Sequence, residues 1–427
     1  DAGPGERGDP GRDSGDVVSA RWKSVQLKEI CELDKAKHDG EPRPYVGLEH
    51  IESATGRFVG DTKPVSVKSA TFKFGPKQIL YGRLRPYLNK AMLPDFKGHC
   101  STEIFPISPR NGVDRRWLFY WLTSQRTVDA INATCTGARM PRANLKAVLE
   151  FGLHLPELVE QKRIVAILDE AFAGIETAIV NTEKNLANAR ELFESYLDSV
   201  FADRGSGWTE RMIGDNTLLS IIDGDRGKNY PTKADFIDDG FCLFMNTKNV
   251  RPNGFKFDEL MFITRQKDEA LGKGKLRRRD VVLTTRGTIG NVGIYDETVS
   301  FDNIRINSGM LILRPNEDVI LSEFLFELIR SSVIRKQIKM KVSGAAQPQL
   351  PIKTLVNFTL PVPDEIQDQS RLVEDLRSLE YEIDRLKAIG QQKIVALSEL
   401  KQSLLQKAFS GELTADRAER EVESTTG

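Results

Sequence analysis

Apolar residues recur at alternating steps of three and four along two separate stretches of the chain. In the first they fall at Val165, Leu168, Phe172, Ile175, Ile179, Leu186, Ala189, Phe193, Tyr196 and Val200. This spacing is the seam of a coiled coil, and Thr182 is the one polar residue on it. Glu170, Glu176, Glu183, Lys184, Arg190 and Glu191 keep the flanks charged. The pattern predicts a helix from near Glu157, after Leu155-Pro156, to near Asp203, before Gly205-Ser206-Gly207. Over about 45 residues with a rise of about 1.5 Å each, it would be ~65 Å long.

The second stretch keeps Leu376, Ile383, Leu397 and Leu404 on its seam. It begins after Leu360-Pro361-Val362-Pro363 and ends at Phe409-Ser410-Gly411. Ile389-Gly390-Gln391-Gln392 interrupts the pattern, and glycine costs about 1 kcal/mol against alanine inside a helix. A stutter or kink is expected there. Neither seam is stable in water, so the simplest arrangement packs the two helices on each other.

The two stretches are copies. Glu191-Leu192-Phe193-Glu194-Ser195-Tyr196-Leu197 returns as Glu399-Leu400-Lys401-Gln402-Ser403-Leu404-Leu405, and Gln161-Lys162-Arg163-Ile164-Val165 as Gln369-Ser370-Arg371-Leu372-Val373. Both pairs share one offset, 208 residues (399−191 and 369−161). That period is far too long for a solenoid. It marks duplication of a whole domain plus a helix.

Before each helix lies a mixed segment with its own landmarks. Each opens on a tryptophan followed five residues later by an apolar residue, Trp22 with Leu27 and Trp208 with Ile213. Each carries a short apolar strand running into an Arg- and Gly-bearing turn, and each closes with Gly-Ala-x-x-Pro. Strand-like runs such as 281–285, 309–313 and 357–360 dominate, with one helix late in each segment, at 115–132 and 322–341.

The length of 427 residues fits two or three domains. Lys+Arg and Asp+Glu both total 61, which argues against a non-specific polycation binder and leaves local basic patches open. No apolar run approaches the ~20 residues of a membrane span. Residues 1–16 hold Gly, Pro and charge and read as a disordered tail. Cys31, Cys100, Cys135 and Cys242 are scattered without a CxxC pair, as expected of free thiols in a reducing cytoplasm.

Catalytic chemistry is missing. The sequence has no Gly-rich cofactor turn between strand and helix, no Asn-Pro-Pro-Tyr motif, no GxxxxGK[ST] and no Ser/His/Asp set. His38, His50, His99 and His154 are dispersed, and His99-Cys100 lacks a partner pair at metal-ligand spacing. Many aligned landmarks without a catalytic constellation point to a recognition protein that needs no cofactor.

Four candidate contact surfaces stand out. The first, Tyr81-Gly82-Arg83-Leu84-Arg85-Pro86-Tyr87-Leu88-Asn89-Lys90, mixes aromatic and hydrogen-bonding side chains on a turn. Arg83 or Arg85 can fork onto guanine, and Asn89 can pair with adenine. Tyr81, Tyr87 and Lys90 suit phosphate contacts. In the second, Thr284-Thr285-Arg286-Gly287-Thr288-Ile289-Gly290-Asn291, short side chains and glycines permit close backbone approach. The third is the charge run containing Lys275, Arg277 and Arg278. The fourth pairs Arg139 and Arg142 with Gln347 and Gln349 in the two Gly-Ala-x-x-Pro loops. Solvated turns and a structural junction before the long helix explain the same residues equally well. By the landmarks, Arg83 and Arg286 occupy equivalent strand-to-turn positions.

In its order of motifs the chain resembles the specificity subunit of type I restriction–modification enzymes, over about residues 20–414. The residues carrying the likeness in the first half are Leu80-Tyr81-Gly82-Arg83-Leu84-Arg85-Pro86-Tyr87, Ser101-Thr102-Glu103 and Leu155-Pro156 with Glu160-Gln161-Lys162-Arg163-Ile164. In the second half they are Val282-Leu283-Thr284-Thr285-Arg286-Gly287, Gly344-Ala345-Ala346-Gln347-Pro348-Gln349-Leu350, Leu360-Pro361 with Gln369, and Ala408-Phe409-Ser410-Gly411-Glu412-Leu413. The link from Leu360 to Gln369 is longer than its counterpart, which leaves the start of the second helix open.

The resemblance implies an α+β fold with pseudo-two-fold organisation: two β-rich target-recognition domains separated by two long antiparallel coiled-coil helices. The implied order is a tail at 1–19, recognition domains at 20–152 and 205–356, spacer helices at 153–204 and 357–414, and a tail at 415–427. Each recognition domain would read one half of a split site on double-stranded DNA. The helices would set the spacing and dock two modification (methyltransferase) subunits, and restriction/translocase subunits would join through that complex. The chain itself would be a cytoplasmic, non-catalytic subunit. A specificity subunit whose partner fuses methylation and cleavage, or a coiled-coil adaptor with no DNA ligand, fits the same elements.

Overall fold

The computed structural model describes residues 22–137, 139–202, 206–342 and 348–415. The expected tail at 1–19, nearly all of the tail at 415–427, and Gly344, Ala345, Ala346 and Gln347 lie outside these residues. The chain divides into two compact units, Asp1–Thr182 with Gln391–Gly427, and Glu183–Gly390.

In the first unit, an antiparallel sheet is built from β1 (Cys31–Leu33), β2 (Ile79–Gly82), β3 (Ala91–Met92) and β4 (Ile104–Pro109), in the order β1-β4-β2-β3. A second sheet orders Pro64–Val65, Arg43–Val46, Gly98–Ser101 and Thr71–Phe74, with the central pair parallel. Lys23–Gln26 pairs with Gly152–Leu155 and ties the start of the domain to its end. Two short helices, α1 (Arg115–Thr123) and α2 (Gln125–Ala133), follow β4. Asp114 caps α1 by accepting from the Arg116 and Trp117 amides. Trp117 and Leu118 then bury completely in the core.

The long helices are α3 (Leu158–Ala202) and α6 (Ile366–Ser410), each 45 residues. Both bounds differ by the repeat offset, 208 (366−158 and 410−202). The extra length of the second link therefore sits before the helix and leaves the helix length unchanged. Each unit holds half of each helix.

The second unit repeats the first with β5 (Leu219–Asp223), β6 (Val281–Thr284), β7 (Val292–Ile294) and β8 (Met310–Pro315) in the order β5-β8-β6-β7. Its second sheet again contains one parallel pair, Cys242–Met245 with Ile304–Ile306. Trp208–Met212 pairs with Thr359–Pro363. The helices α4 (Ser322–Arg330) and α5 (Ser332–Val342) take the places of α1 and α2.

Within each unit the two helix halves run antiparallel. In the first, Glu160 accepts from the Thr414 hydroxyl, while Lys401 Nζ lies 5.0 Å from the centre of the Phe172 ring. In the second, Leu186 meets Gly390, while Leu192 and Tyr196 line one hollow with Asp375 and Leu379. The helix runs uninterrupted through Gly390, where the sequence suggests a stutter or kink. The glycine is instead a point of close approach, since a Cβ there would come within 2.8 Å of the Leu186 side chain. Thr182 satisfies its buried hydroxyl by donating to the Ala178 carbonyl at 2.7 Å. Toward the end of α3, Leu197 and Phe201 bury more deeply than Tyr196 and Val200 of the predicted seam. The last turns face the sheet domain as well as α6, and Phe201 packs edge-on to Phe324 at 5.5 Å.

One buried side chain fastens each helix to its domain. Gln161 accepts from the Asp114 amide at 2.7 Å and donates to the Gly112 and Pro156 carbonyls. Gln369 accepts from the Leu321 amide at 2.9 Å and donates to the Val319 and Pro363 carbonyls. The partners differ by 207 (319−112, 321−114, 363−156), while the glutamines keep the offset of 208. The duplication thus extends to a three-bond network of buried polar groups.

Candidate nucleic-acid interface

The strand-to-turn segment meets the residues at the end of the Gly-Ala-x-x-Pro motif, 141–143 in the first unit and 349–350 in the second, which are separate candidates in the sequence. In the first unit, Leu84 bridges Arg142, the Arg85 amide donates to the Pro141 carbonyl at 2.7 Å, and the Ala143 amide donates to Arg83. Arg85 (φ 52°) and Asn89 (φ 46°) are both left-handed and frame the one-turn segment Pro86–Leu88. Non-glycine residues persist in that region only when their surroundings hold them there.

Glu103 ties together the two segments that flank this turn. Its carboxylate takes Arg83 Nε at 2.9 Å and Arg142 Nη2 at 2.8 Å. Partial burial opposes its ionisation, but the bonds from Arg142 and Arg83 outweigh that and hold the group below the usual carboxylate range. The Arg83 guanidinium also lies 5.4 Å from the Phe105 ring centre. Glu103 stands in a family motif, but its role as a clamp is not legible in the sequence, because its partners are 20 and 39 residues away.

Several of the first candidates are scaffold. Tyr81 is 3% exposed, with its side chain in the core and its hydroxyl pushed up by burial, so it does not offer the expected phosphate contact. Asn89 is buried and donates to the Thr123 carbonyl at 2.8 Å, which removes it as a base reader. Lys90 donates to the Leu48 carbonyl at 2.7 Å. Arg85, Tyr87 and Arg139 remain on the surface, Tyr87 at 54% exposure.

The second unit builds the same turn differently. The Leu350 amide donates to the Thr285 carbonyl at 2.9 Å, and Arg286 bridges Gln349. Thr284 and Thr285 are buried: Thr284 Oγ1 accepts from the Asn291 amide at 3.0 Å, and Thr285 Oγ1 donates to the Gly309 carbonyl at 3.1 Å. Asn291 donates to Val250 at 2.9 Å. These three hold the turn together and leave Arg286, Thr288 and Gln349 exposed. Gly287 (φ 71°) takes the left-handed place that Arg85 fills in the first unit.

The bridge register corrects the landmark alignment. Leu84 pairs Arg142 as Arg286 pairs Gln349, so Arg286 matches Leu84, and Arg83 matches Thr285. A slip of one residue turns a strand side chain to the opposite face.

The basic run is largely committed to the fold. Lys275 pairs with the buried Asp268 at 2.5 Å. Arg278 donates to the Asp296 and Val299 carbonyls and stacks on Tyr295 at 4.2 Å. Arg277 stays exposed.

Three histidines that are dispersed in sequence meet in the first unit. His38 stacks on His99 at 4.2 Å, and Tyr45 contacts both His99 and His50. Among the described residues no cluster of three or more side chains could hold a metal ion. The Cys100 thiol donates to the Ile104 carbonyl and is pushed up to about 12 by burial, so His99-Cys100 is core. All four cysteines are free, and among the described residues no helix is long and apolar enough to cross a membrane.

The type I restriction modification DNA specificity domain matches residues 20–187 and again 206–394. The chain is 30% identical over 216 residues to the type I restriction enzyme EcoDI specificity subunit of Escherichia coli, a match covering 48% of either protein. With the EcoBI specificity subunit of the same organism it is 26% identical over 325 residues, 70% of this chain and 67% of that one. The chain thus spans about half the length of the first relative and two thirds of the second. Among solved structures, one concerned with complex assembly and conformational transition of the type I R-M system superposes with a TM-score of 0.76 at 21% identity, covering 92% of this chain and 98% of that one. The HsdS subunit from Thermoanaerobacter tengcongensis gives 0.58 at 22% identity, covering 92% and 97%. These two share the fold.

Proposed function

The chain belongs to the type I restriction modification DNA specificity family, and on that premise we propose that its two units read the two halves of a split duplex-DNA site. The observation that supports this most is one backbone frame carrying two different sets of side chains. Where the first unit places Glu103, Arg83 and Arg142, the second places Gly309, Thr285 and Gln349. A duplicated scaffold with unlike contact loops suits two unlike half-sites. Base edges are distinguished by which donors and acceptors meet them, so altered side chains on a constant backbone alter the sequence read.

On this reading the recognition domains are residues 20–152 and 205–356, and the spacer regions, which contain α3 and α6, are 153–204 and 357–414. The helices fix the half-site spacing and dock two modification subunits. Restriction/translocase subunits join through that complex. The chain contributes recognition, and its partners contribute methyl transfer, ATP hydrolysis and cleavage.

Exchanging residues 20–150 for those of another family member tests this. Mapping methylated bases in a host carrying the hybrid should show one half-site changed and the other kept. A change in both halves would sink the two-module reading.

A further inference from the structure

The turn 284–291 forms one wall of a groove of about 730 Å³ in the second unit. The facing wall is α5, which presents Arg335, Ile338, Lys339 and Val342. These lie at i, i+3, i+4 and i+7, a single helical stripe with a cation beside each apolar residue. Gly290 (φ 91°) lets the turn close on the helix, since a Cβ there would lie 3.1 Å from the end of Ile338.

The sequence of α5, SVIRKQIKMKV, has four cations and no carboxylate. The side chains of Arg335, Lys336, Lys339 and Lys341 are exposed and have no hydrogen-bond or ion-pair partner among the described residues. Glu194 is the one carboxylate on the groove wall. The helix dipole favours Lys339 and Lys341 in the last turn, but it disfavours Arg335 near the amino-terminal end. The counterpart helix α2, QRTVDAINA, carries Arg126 and Asp129, which cancel.

We propose that this groove seats one sugar-phosphate strand of duplex DNA, with Arg335 and Lys339 contacting phosphates beside the turn that carries Arg286. The proposal rests on the DNA-recognition reading and adds a backbone-gripping site found in the second unit. A polyanion fits because the groove offers on one stripe two cations that have no partner among the described residues, and duplex DNA is the polyanion assigned to the adjacent turn under the proposed function.

The test uses the full chain with Arg335→Gln and Lys339→Gln together, and Lys233→Gln as an exposed cation elsewhere in the same unit. Binding is measured from about 50 to 200 mM salt, to a duplex bearing the mapped site and to one of random sequence and equal length. The double variant should weaken both duplexes alike and flatten the slope of log K against log salt by about 1.8, near 0.9 per lost phosphate contact. Lys233→Gln should keep the original slope. An unchanged slope in the double variant, an equal loss in Lys233→Gln, or weakening confined to the site-bearing duplex would each overturn the proposal while wild type still binds. If wild type binds neither duplex, the DNA reading itself fails and takes this site with it.

Discussion

The two recognition turns hold one backbone course by opposite means. In the first unit a carboxylate does it: Glu103 gathers Arg83 and Arg142, and two left-handed non-glycine residues complete the bend. In the second unit hydroxyls and glycines do it: Thr284 and Thr285 bond inward and Gly287 takes the left-handed place. The first solution engages Arg83 and Arg142 internally and leaves Arg85 at the surface, and the second leaves Arg286 there. Charge on a recognition loop is therefore a poor guide to contact unless its intramolecular partner is known. The neighbouring helices differ in net charge, with four cations and no carboxylate on α5 against one of each on α2.

The comparison breaks first if the two halves do not share their frame. Gln161→Leu leaves one amide and two carbonyls without their partner, and Gln369→Leu does the same in the other half. At roughly 1–3 kcal/mol per buried unpaired group, each variant should lose on the order of 3 kcal/mol or more. Denaturant unfolding of both should give similar losses. A large loss in one and none in the other would mean that the networks are alike only in geometry.

Glu103→Gln targets the clamp found only in the first unit. It should destabilise by roughly 1–3 kcal/mol at neutral pH. The folded carboxyl ionises below its ordinary value of 4.5, so the stabilisation is fully present above that value and is lost as pH falls through the folded one. Wild type and variant should therefore converge in acid. A gap that persists at pH 2–3 would assign the loss to shape rather than charge.

Arg286→Ala should cost ~1–3 kcal/mol of binding and relax one position of the site. Arg278→Ala should act mainly on stability, because its guanidinium is spent on the Asp296 and Val299 carbonyls. Competition with single-base variants of the site, alongside melting curves, separates the two. Equal weakening of every duplex by Arg286→Ala would make that turn a phosphate contact.

The smallest energetic effect is expected from four residues inserted near Thr182, about one helical turn. The insertion should lengthen the spacer between half-sites by one or two base pairs with affinity per half-site kept. A folded, active variant with an unchanged spacer would remove the ruler role from the helices.

The sequence by itself determined whatever depends on local period and on repetition. The three-four spacing carried α3 from end to end, and the offset of 208 marked α6 as its copy while leaving its start open. The motif order carried the family. Tertiary structure alone decided which polar residues were free to bind. Tyr81, Asn89, Thr285 and Arg278 look like contact residues on paper because their chemistry suits DNA, yet each is taken up by core packing or by a carbonyl distant in sequence. The one-residue slip between Arg83 and Arg286 belongs to the same class, since register is set by cross-strand bonds rather than by the residues flanking a turn. Even Gly390, which breaks a helical pattern when read alone, sits in an unbroken helix at a point where Leu186 of the other helix leaves no room for a side chain. Period is a property of one segment, whereas partnership requires two, and the second member of each pair lies beyond the reach of local sequence.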